Sequence, residues 1–186
     1  MATQEQSCRR VAVYCGSATG TSPAFRADAI ALGQGIAAAG LGLVYGGACV
    51  GLMGAVADAA IAGGAEVIGV LPDFFDGREI AHAGLTSLEI VPSMHERKAR
   101  MVELADAFLV LPGGFGTLDE LMEVLTWAQL RLHAKPCILI NTDGYWNGLL
   151  AFLDSTVAAG FLKAENRQSL LVAADARDAL QLVTGN

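Results

Sequence analysis

Ala107-Phe108-Leu109-Val110-Leu111-Pro112-Gly113-Gly114-Phe115-Gly116-Thr117-Leu118-Asp119-Glu120 reads in three parts. Ala107–Leu111 is a continuous apolar run, too short for a helix and fit for a strand buried on both faces. Pro112 to Thr117 is a glycine-rich turn, and from Leu118 to Leu130 the spacing is helical. Strand, glycine turn and helix make the repeating unit of an α/β chain.

The same unit recurs on either side. Val11–Cys15, Leu41–Tyr45, Val67–Leu71, Leu88–Val91 and Cys137–Ile140 are further short apolar runs, expected as parallel strands covered on both faces. Between them the spacing predicts helices at Ser22–Ala39, Gly51–Ile61, Met94–Leu104, Tyr145–Ala159 and Ala176–Val183. Ser22 is placed as N-cap with Pro23 at the first helical position. The expected architecture is α/β: one doubly wound, mostly parallel, Rossmann-like sheet with helices on both faces. A single domain over 1–186 is expected, with residues 1–9 as a flexible N-terminus.

Composition narrows the function. The chain has 186 residues, 17% of them charged, with 12 Lys+Arg against 19 Asp+Glu and a net charge of −7. A mean hydropathy of +0.46 excludes intrinsic disorder. A pI near 4.8 without a basic run argues against nucleic-acid binding. Ala29–Ala57 carries no charge and is long enough to span a bilayer, but its Ala/Gly content and the Gly46-Gly47 break fit a buried α/β segment, so no membrane is expected. Cys8, Cys15, Cys49 and Cys137 form neither a disulfide framework nor a metal site. Met1–Arg10 lacks the apolar core of a signal peptide, so a reduced, cytoplasmic protein is expected.

In a doubly wound sheet the ligand crevice lies at the carboxyl ends of the strands. Gly16-Ser17, Gly46-Gly47 and Pro112–Thr117 all follow strands. The last suits an anion best, because glycines admit close backbone approach and the following helix presents free N–H groups. It is neither a Walker A loop nor G-x-G-x-x-G. Thr117-x-x-Glu120 also reads as an ordinary capping box on a tight turn, and the local pattern does not choose. Ser93-Met94-His95-Glu96-Arg97-Lys98 is a second helix start, boxed by Ser93 and Glu96. Met94, Arg97, Met101 and Leu104 share one stripe of that helix. Arg97 therefore either meets an acidic or phosphate partner in the interior or snorkels to solvent.

Pro112-Gly113-Gly114-Phe115-Gly116-Thr117-Leu118-Asp119-Glu120 matches P-G-G-x-G-T-x-x-E without departure, Met94–Lys98 matches M-H-x-R-K, and Arg78-Glu79-Ile80 matches R-E-I. Together they resemble the LOG (Lonely Guy) family, often labelled lysine decarboxylase, over about Val11 to Leu162. The resemblance implies a phosphoribohydrolase that splits the N-glycosidic bond of a nucleoside 5′-monophosphate, with cytokinin nucleotides or AMP as substrate. It implies a catalytic pair, Arg97 and Glu120. It also implies substrate contacts at Glu79, Arg97, Lys98, Gly113, Gly114, Phe115, Gly116, Thr117, Leu118, Asp119 and Thr126, without cofactor or metal. Gly16, Ser17, Gly46 and Gly47 are candidate loop contacts.

The resemblance further implies a homodimer, and Trp127, Leu130 and Leu132 could be core or interface. Ala48 departs from the third glycine common in relatives after Tyr45-Gly46-Gly47, which puts the shape of that loop in question. Glu120, placed in the first helical turn, is expected to ionise readily under the helix dipole. A nucleotide-binding module without hydrolysis is the alternative reading. A pyridoxal-dependent decarboxylase is rejected, since Lys98, Lys135 and Lys163 sit in no recognisable cofactor motif.

Overall fold

Residues 8–74 and 81–185 are described by the structure, a computed structural model. Its strands are β1 (Arg10–Tyr14), β2 (Gly42–Tyr45), β3 (Val67–Pro72), β4 (Ser87–Val91), β5 (Ala107–Val110), β6 (Cys137–Ile140) and β7 (Leu170–Ala173). They form one seven-stranded sheet in the order β4-β3-β2-β1-β5-β6-β7. Every pairing is parallel. The helices are α1 (Pro23–Ala38), α2 (Gly51–Ala62), α3 (Met94–Leu104), α4 (Phe115–Gln129), α5 (Asn147–Ala158), α6 (Ala164–Gln168) and α7 (Ala176–Thr184).

Alternation along the central strands builds two cores. Val11, Val13, Leu109 and Leu111 pack with Ala29, Leu32 and Ile36 of α1, Leu52 and Val56 of α2 and Ala179 of α7. Ala12, Tyr14, Phe108 and Val110 point to the opposite face, against Met101 of α3, Leu121 and Val124 of α4, and Leu149 and Leu153 of α5. The chain winds outward from β1 to β4, returns to place β5 beside β1, and winds outward again to β7. Strand order reverses between β1 and β5, so the crevice opens at their carboxyl ends.

The expected strands and helices are present, and the differences have local causes. The charge-free stretch Ala29–Ala57 divides among α1, β2 and α2, and no helix among the described residues is long and apolar enough to cross a membrane. β4 was expected to be covered on both faces, but it is a sheet edge, with Leu88 and Ile90 exposed. β7 and α6 were not anticipated. Leu170–Ala173 is short, buried only at its two ends, and follows a single helical turn.

Two helix starts differ in ways that matter below. α4 begins at Phe115 with Gly114 as N-cap, not at Leu118, because Phe115, Gly116 and Thr117, which read as turn, already form its first turn. α5 begins at Asn147, and a 3-10 turn at Thr142–Gly144 precedes it.

Candidate active site

Ser93 opens α3, its Oγ accepting from the Glu96 N–H at 3.1 Å, as the capping box predicts. One turn on, Arg97 lies on the buried stripe with Met101 and is 8% exposed. It does not snorkel. Its Nε donates to the Val70 carbonyl of β3 at 3.0 Å and its Nη1 to Glu120 Oε1 at 2.7 Å. Gly46 makes room for this reach, because a Cβ there would collide with Arg97 Nη2.

Glu120 comes from α4, and the earlier start of that helix changes its chemistry. Thr117 is already the third helical residue, so no capping box with Glu120 forms, and Glu120 lies beyond the first turn. Its carboxylate is buried at 7% exposure. Burial holds the Glu120 carboxyl above its ordinary range, and the Arg97 charge and hydrogen bond only partly reverse this. The expected ease of ionisation under the helix dipole is therefore corrected: desolvation outweighs a dipole that fades within one turn.

These two side chains line a cleft of about 210 Å³, together with Val13, Cys15, Gly16, Ser17, Gly46, Met53, Gly114, Phe115, Gly116 and Thr117. The first hydrogen bond of α4 runs from Leu118 N to Gly114 O, so the N–H groups of Phe115, Gly116 and Thr117, residues that line the cleft, have no partner within the helix. The two glycine turns lock together, Gly16 N donating to Pro112 O at 3.0 Å and Leu52 N to Gly16 O at 3.1 Å. Burial pushes the Cys15 thiol far up, which keeps it from being a thiolate. Among the described residues lining the cleft, Glu120 is the one carboxylate. The result is an anion-accepting rim above a buried carboxylate–guanidinium floor.

Residues 53–183 match the family model described as "Possible lysine decarboxylase". The chain is 48% identical over 172 residues to the probable cytokinin riboside 5′-monophosphate phosphoribohydrolase LOGL5 of Oryza sativa subsp. japonica, covering 92% of this chain and 70% of that one. Against the cytokinin riboside 5′-monophosphate phosphoribohydrolase LOG7 of Arabidopsis thaliana it is 46% identical, covering 91% of this chain and 78% of that one. The chain belongs to the LOG family. Its fold also matches a molybdenum cofactor binding protein from Rippkaea orientalis at TM-score 0.73 and 22% identity, covering 97% of this chain and 98% of that one. The molybdenum cofactor carrier protein of Chlamydomonas reinhardtii matches at TM-score 0.72 and 23% identity, covering 95% and 96%.

In this LOG-family chain the motif residues divide by position. Gly16, Ser17, Gly46, Arg97, Gly114, Phe115, Gly116, Thr117 and Glu120 meet at the cleft. Gly113 does not line the cleft and, with Pro112, borders the cavity next to it. Gly47 points away, its carbonyl accepting from His82 N at 3.0 Å. The left-handed backbone of that loop falls on Gly47, at φ 79°, one residue before Ala48, which is why alanine is tolerated there.

Lys98 does not line the cleft. Its ammonium donates to Asp119 Oδ1 at 3.0 Å and pairs with Glu123 Oε2 at 3.2 Å. Burial pulls the Lys98 pKa down, but those two carboxylates more than reverse it and leave it raised. Leu118 packs against the α3/α4 core. Thr126 is exposed and returns its hydroxyl to Met122 O at 2.7 Å. Glu79, with Gly77, Arg78 and Ile80, lies outside the described residues, as do residues 1–7 of the expected flexible N-terminus. Met53 and Val13 line the cleft without having been singled out. Met53 stands within the Gly46–Gly54 stretch, but no local pattern marks its side chain as a lining group.

Proposed function

We propose that this protein hydrolyses the N-glycosidic bond of adenine-type nucleoside 5′-monophosphates, cytokinin ribosides and AMP among them, releasing free base and ribose 5-phosphate. The observation that carries the reading is the buried Arg97–Glu120 pair at the floor of a cleft whose rim is the N-terminus of α4. The names of the relatives point to the same reaction.

In the proposed mechanism Gly114 to Thr117 receive the 5′-phosphate on backbone N–H groups and the Thr117 hydroxyl. The ribose then lies over Glu120. As the C1′–N bond breaks, positive charge develops on the ribose, and the Glu120 carboxylate stabilises it. Water adds to C1′ and loses its proton to Glu120, whose burial makes it a stronger base than an exposed carboxylate. The departing base takes up a proton from solvent and Glu120 returns its own to solvent, so that one water is consumed and the carboxylate is restored. Arg97 holds the carboxylate in place by a charge-assisted bond and favours its ionised form. Binding at the phosphate, remote from the broken bond, orients the ribose, so adenosine should be a far poorer substrate than AMP.

A lysine decarboxylase would need a lysine for a pyridoxal Schiff base, and the residues do not fit. Lys98 is held by Asp119 and Glu123, and Lys135 Nζ donates to Val102 O at 2.6 Å. Lys163, exposed on the surface, lies 3.9 Å from Glu165. We further propose a single catalytic domain acting as a homodimer in the cytoplasm. Phe115 at the cleft mouth is 92% exposed and Phe161 91%, apolar surface that a second copy would cover. The free thiols Cys8, Cys15, Cys49 and Cys137 suit a reducing compartment.

The test is chromatographic detection of free base from AMP and from isopentenyladenosine monophosphate, with wild type and Glu120→Gln in parallel. Base released by wild type alone supports the hydrolase reading. Saturable nucleotide binding without release would return the protein to a binding module.

A further inference from the structure

The phosphoribohydrolase reading assigns the turn at Gly113–Thr117 to the substrate's phosphate, and a residue outside every matched motif reaches that turn. Tyr145 Oη donates to the Gly113 carbonyl at 2.6 Å. We infer that Tyr145 is a positioning residue for phosphate binding, acting through the Gly113–Gly114 peptide; this rests on the phosphate assignment above.

The peptide is planar and trans, so the Gly113 C=O and the Gly114 N–H point in opposite directions. Gly114 borders both the cleft and a neighbouring cavity, whereas Gly113 and Tyr145 border only the latter. That second cavity, of about 290 Å³, is lined by Phe25, Leu52, Pro112, Gly113 and Tyr145, and shares Gly16, Ser17 and Gly114 with the cleft. The turn is thus a thin wall between two cavities. By drawing the carbonyl rearward, the hydroxyl directs the Gly114 N–H forward to where an anion would sit. It also polarises the peptide and strengthens that donor. Without it, the rear cavity leaves the wall room to rotate.

Tyr145 is itself held from several sides, although it is 43% exposed and burial alone does not fix it. Its ring meets Phe25 edge-on at 5.5 Å and Trp146 at 4.8 Å. The turn that presents it contains Asp143 at φ 53°, a left-handed conformation that an L side chain disfavours. Three cross-braces hold that turn. Ser22 Oγ donates to Asp143 Oδ2 at 2.7 Å, Thr142 Oγ1 donates to the buried Asp28 carboxylate, and Trp146 N donates to Asn141 Oδ1 at 2.7 Å. A strained backbone persists where its surroundings over-determine it, and here the fixed element ends on the phosphate turn.

Tyr145→Phe keeps every ring contact and removes only the hydroxyl. Calorimetric titration of wild type and Tyr145→Phe with ribose 5-phosphate and adenine, and steady-state base release from AMP, test the inference. The expected result is a rise in Kd of about 3- to 10-fold for ribose 5-phosphate, the loss of one hydrogen bond. Adenine affinity should be unchanged, and kcat/KM for AMP should fall by the same factor. Equal ribose 5-phosphate affinity in the two proteins would overturn the role of Tyr145 and leave the phosphate assignment standing. A parallel loss for adenine would also overturn it, by showing a general disturbance of the site. Failure of wild type to bind ribose 5-phosphate would remove the phosphate assignment and this inference together.

Discussion

Arg97 Nη1 and Glu120 Oε1 stand 2.7 Å apart with side chains 10% and 8% exposed, joining α3 to α4 beneath the open end of the sheet. A buried ion pair is a poor device for stability, since desolvating two charges cancels most of their attraction. Its retention at the floor of a cleft is better explained by chemistry than by folding.

That argument has a thermodynamic consequence. Arg97→Met alone strands a buried carboxylate and should cost about 3–5 kcal/mol, read from urea melts. Replacing both partners, as Arg97→Met with Glu120→Leu, should recover most of that loss while base release stays abolished. If the double variant is as unstable as the single ones, the pair is structural after all. Glu120→Gln alone should lower turnover at least ~100-fold, the scale of losing one preorganised electrostatic group.

The raised Glu120 pKa sets a pH signature. Its ordinary value is 4.5 and its folded value lies higher, because burial disfavours the anion. A group raised in this way contributes stability that is fully present below 4.5 and lost as pH rises through the folded value. Wild type should therefore lose stability relative to Glu120→Gln on going from below 4.5 up through that window. In activity the sign is opposite, since the ionised form is the working one. The acidic limb of kcat/KM should have its midpoint above 4.5, and residual activity of Glu120→Gln should lack that limb. Glu66 and Glu89, lowered by hydrogen bonds to Arg10 and Arg100, pull stability the other way. The comparison with Glu120→Gln cancels them.

Much of this was legible in the sequence, and the remainder has physical reasons. Near-continuous apolar runs between helical stretches gave the parallel sheet, and the glycines after strands located the crevice at β1 and β5. The Arg97 stripe posed a choice that only the position of Glu120 could decide, because pairing across helices leaves no local trace. Gly114 and Gly116 carry a turn signal in sequence, which sets the start of α4 three residues too late and so puts Glu120 under a helix dipole that it does not feel. β7 escaped notice because four residues at a sheet edge carry little periodicity. Tyr145 stands 32 residues from the carbonyl it holds, and no motif connects them.

Lys98 offers a sharper division between phosphate contact and internal brace. Its ammonium, 13% exposed at the side chain, is already satisfied by Asp119 and Glu123. Lys98→Met should therefore lower kcat/KM for AMP by less than about 10-fold, far less than Glu120→Gln. Asp119 is 56% exposed at its side chain, so Asp119→Asn should cost under about 1 kcal/mol. Loss of AMP turnover in Lys98→Met comparable with Glu120→Gln would mean that Lys98 leaves its carboxylates to meet the substrate.

Gly46 separates the shape of the cleft from its charges. A Cβ at this position would run into Arg97 Nη2 and come within 3.0 Å of Met53 Sδ. Met53 can yield, being flexible, but the guanidinium is pinned by Val70 O and Glu120 and can move only by giving up one of them. Gly46→Ala should therefore leave the sheet intact at a cost of roughly 1–3 kcal/mol, the range for overpacking a close-packed site. Turnover should fall much further than stability, by about 10²-fold, because a displacement near 1 Å at a catalytic group has that effect. Parallel melting curves and base-release assays on Gly46→Ala test this directly. Full activity would show that Arg97 can shift without consequence, and that the distance between Arg97 and Glu120 is not what the cleft requires.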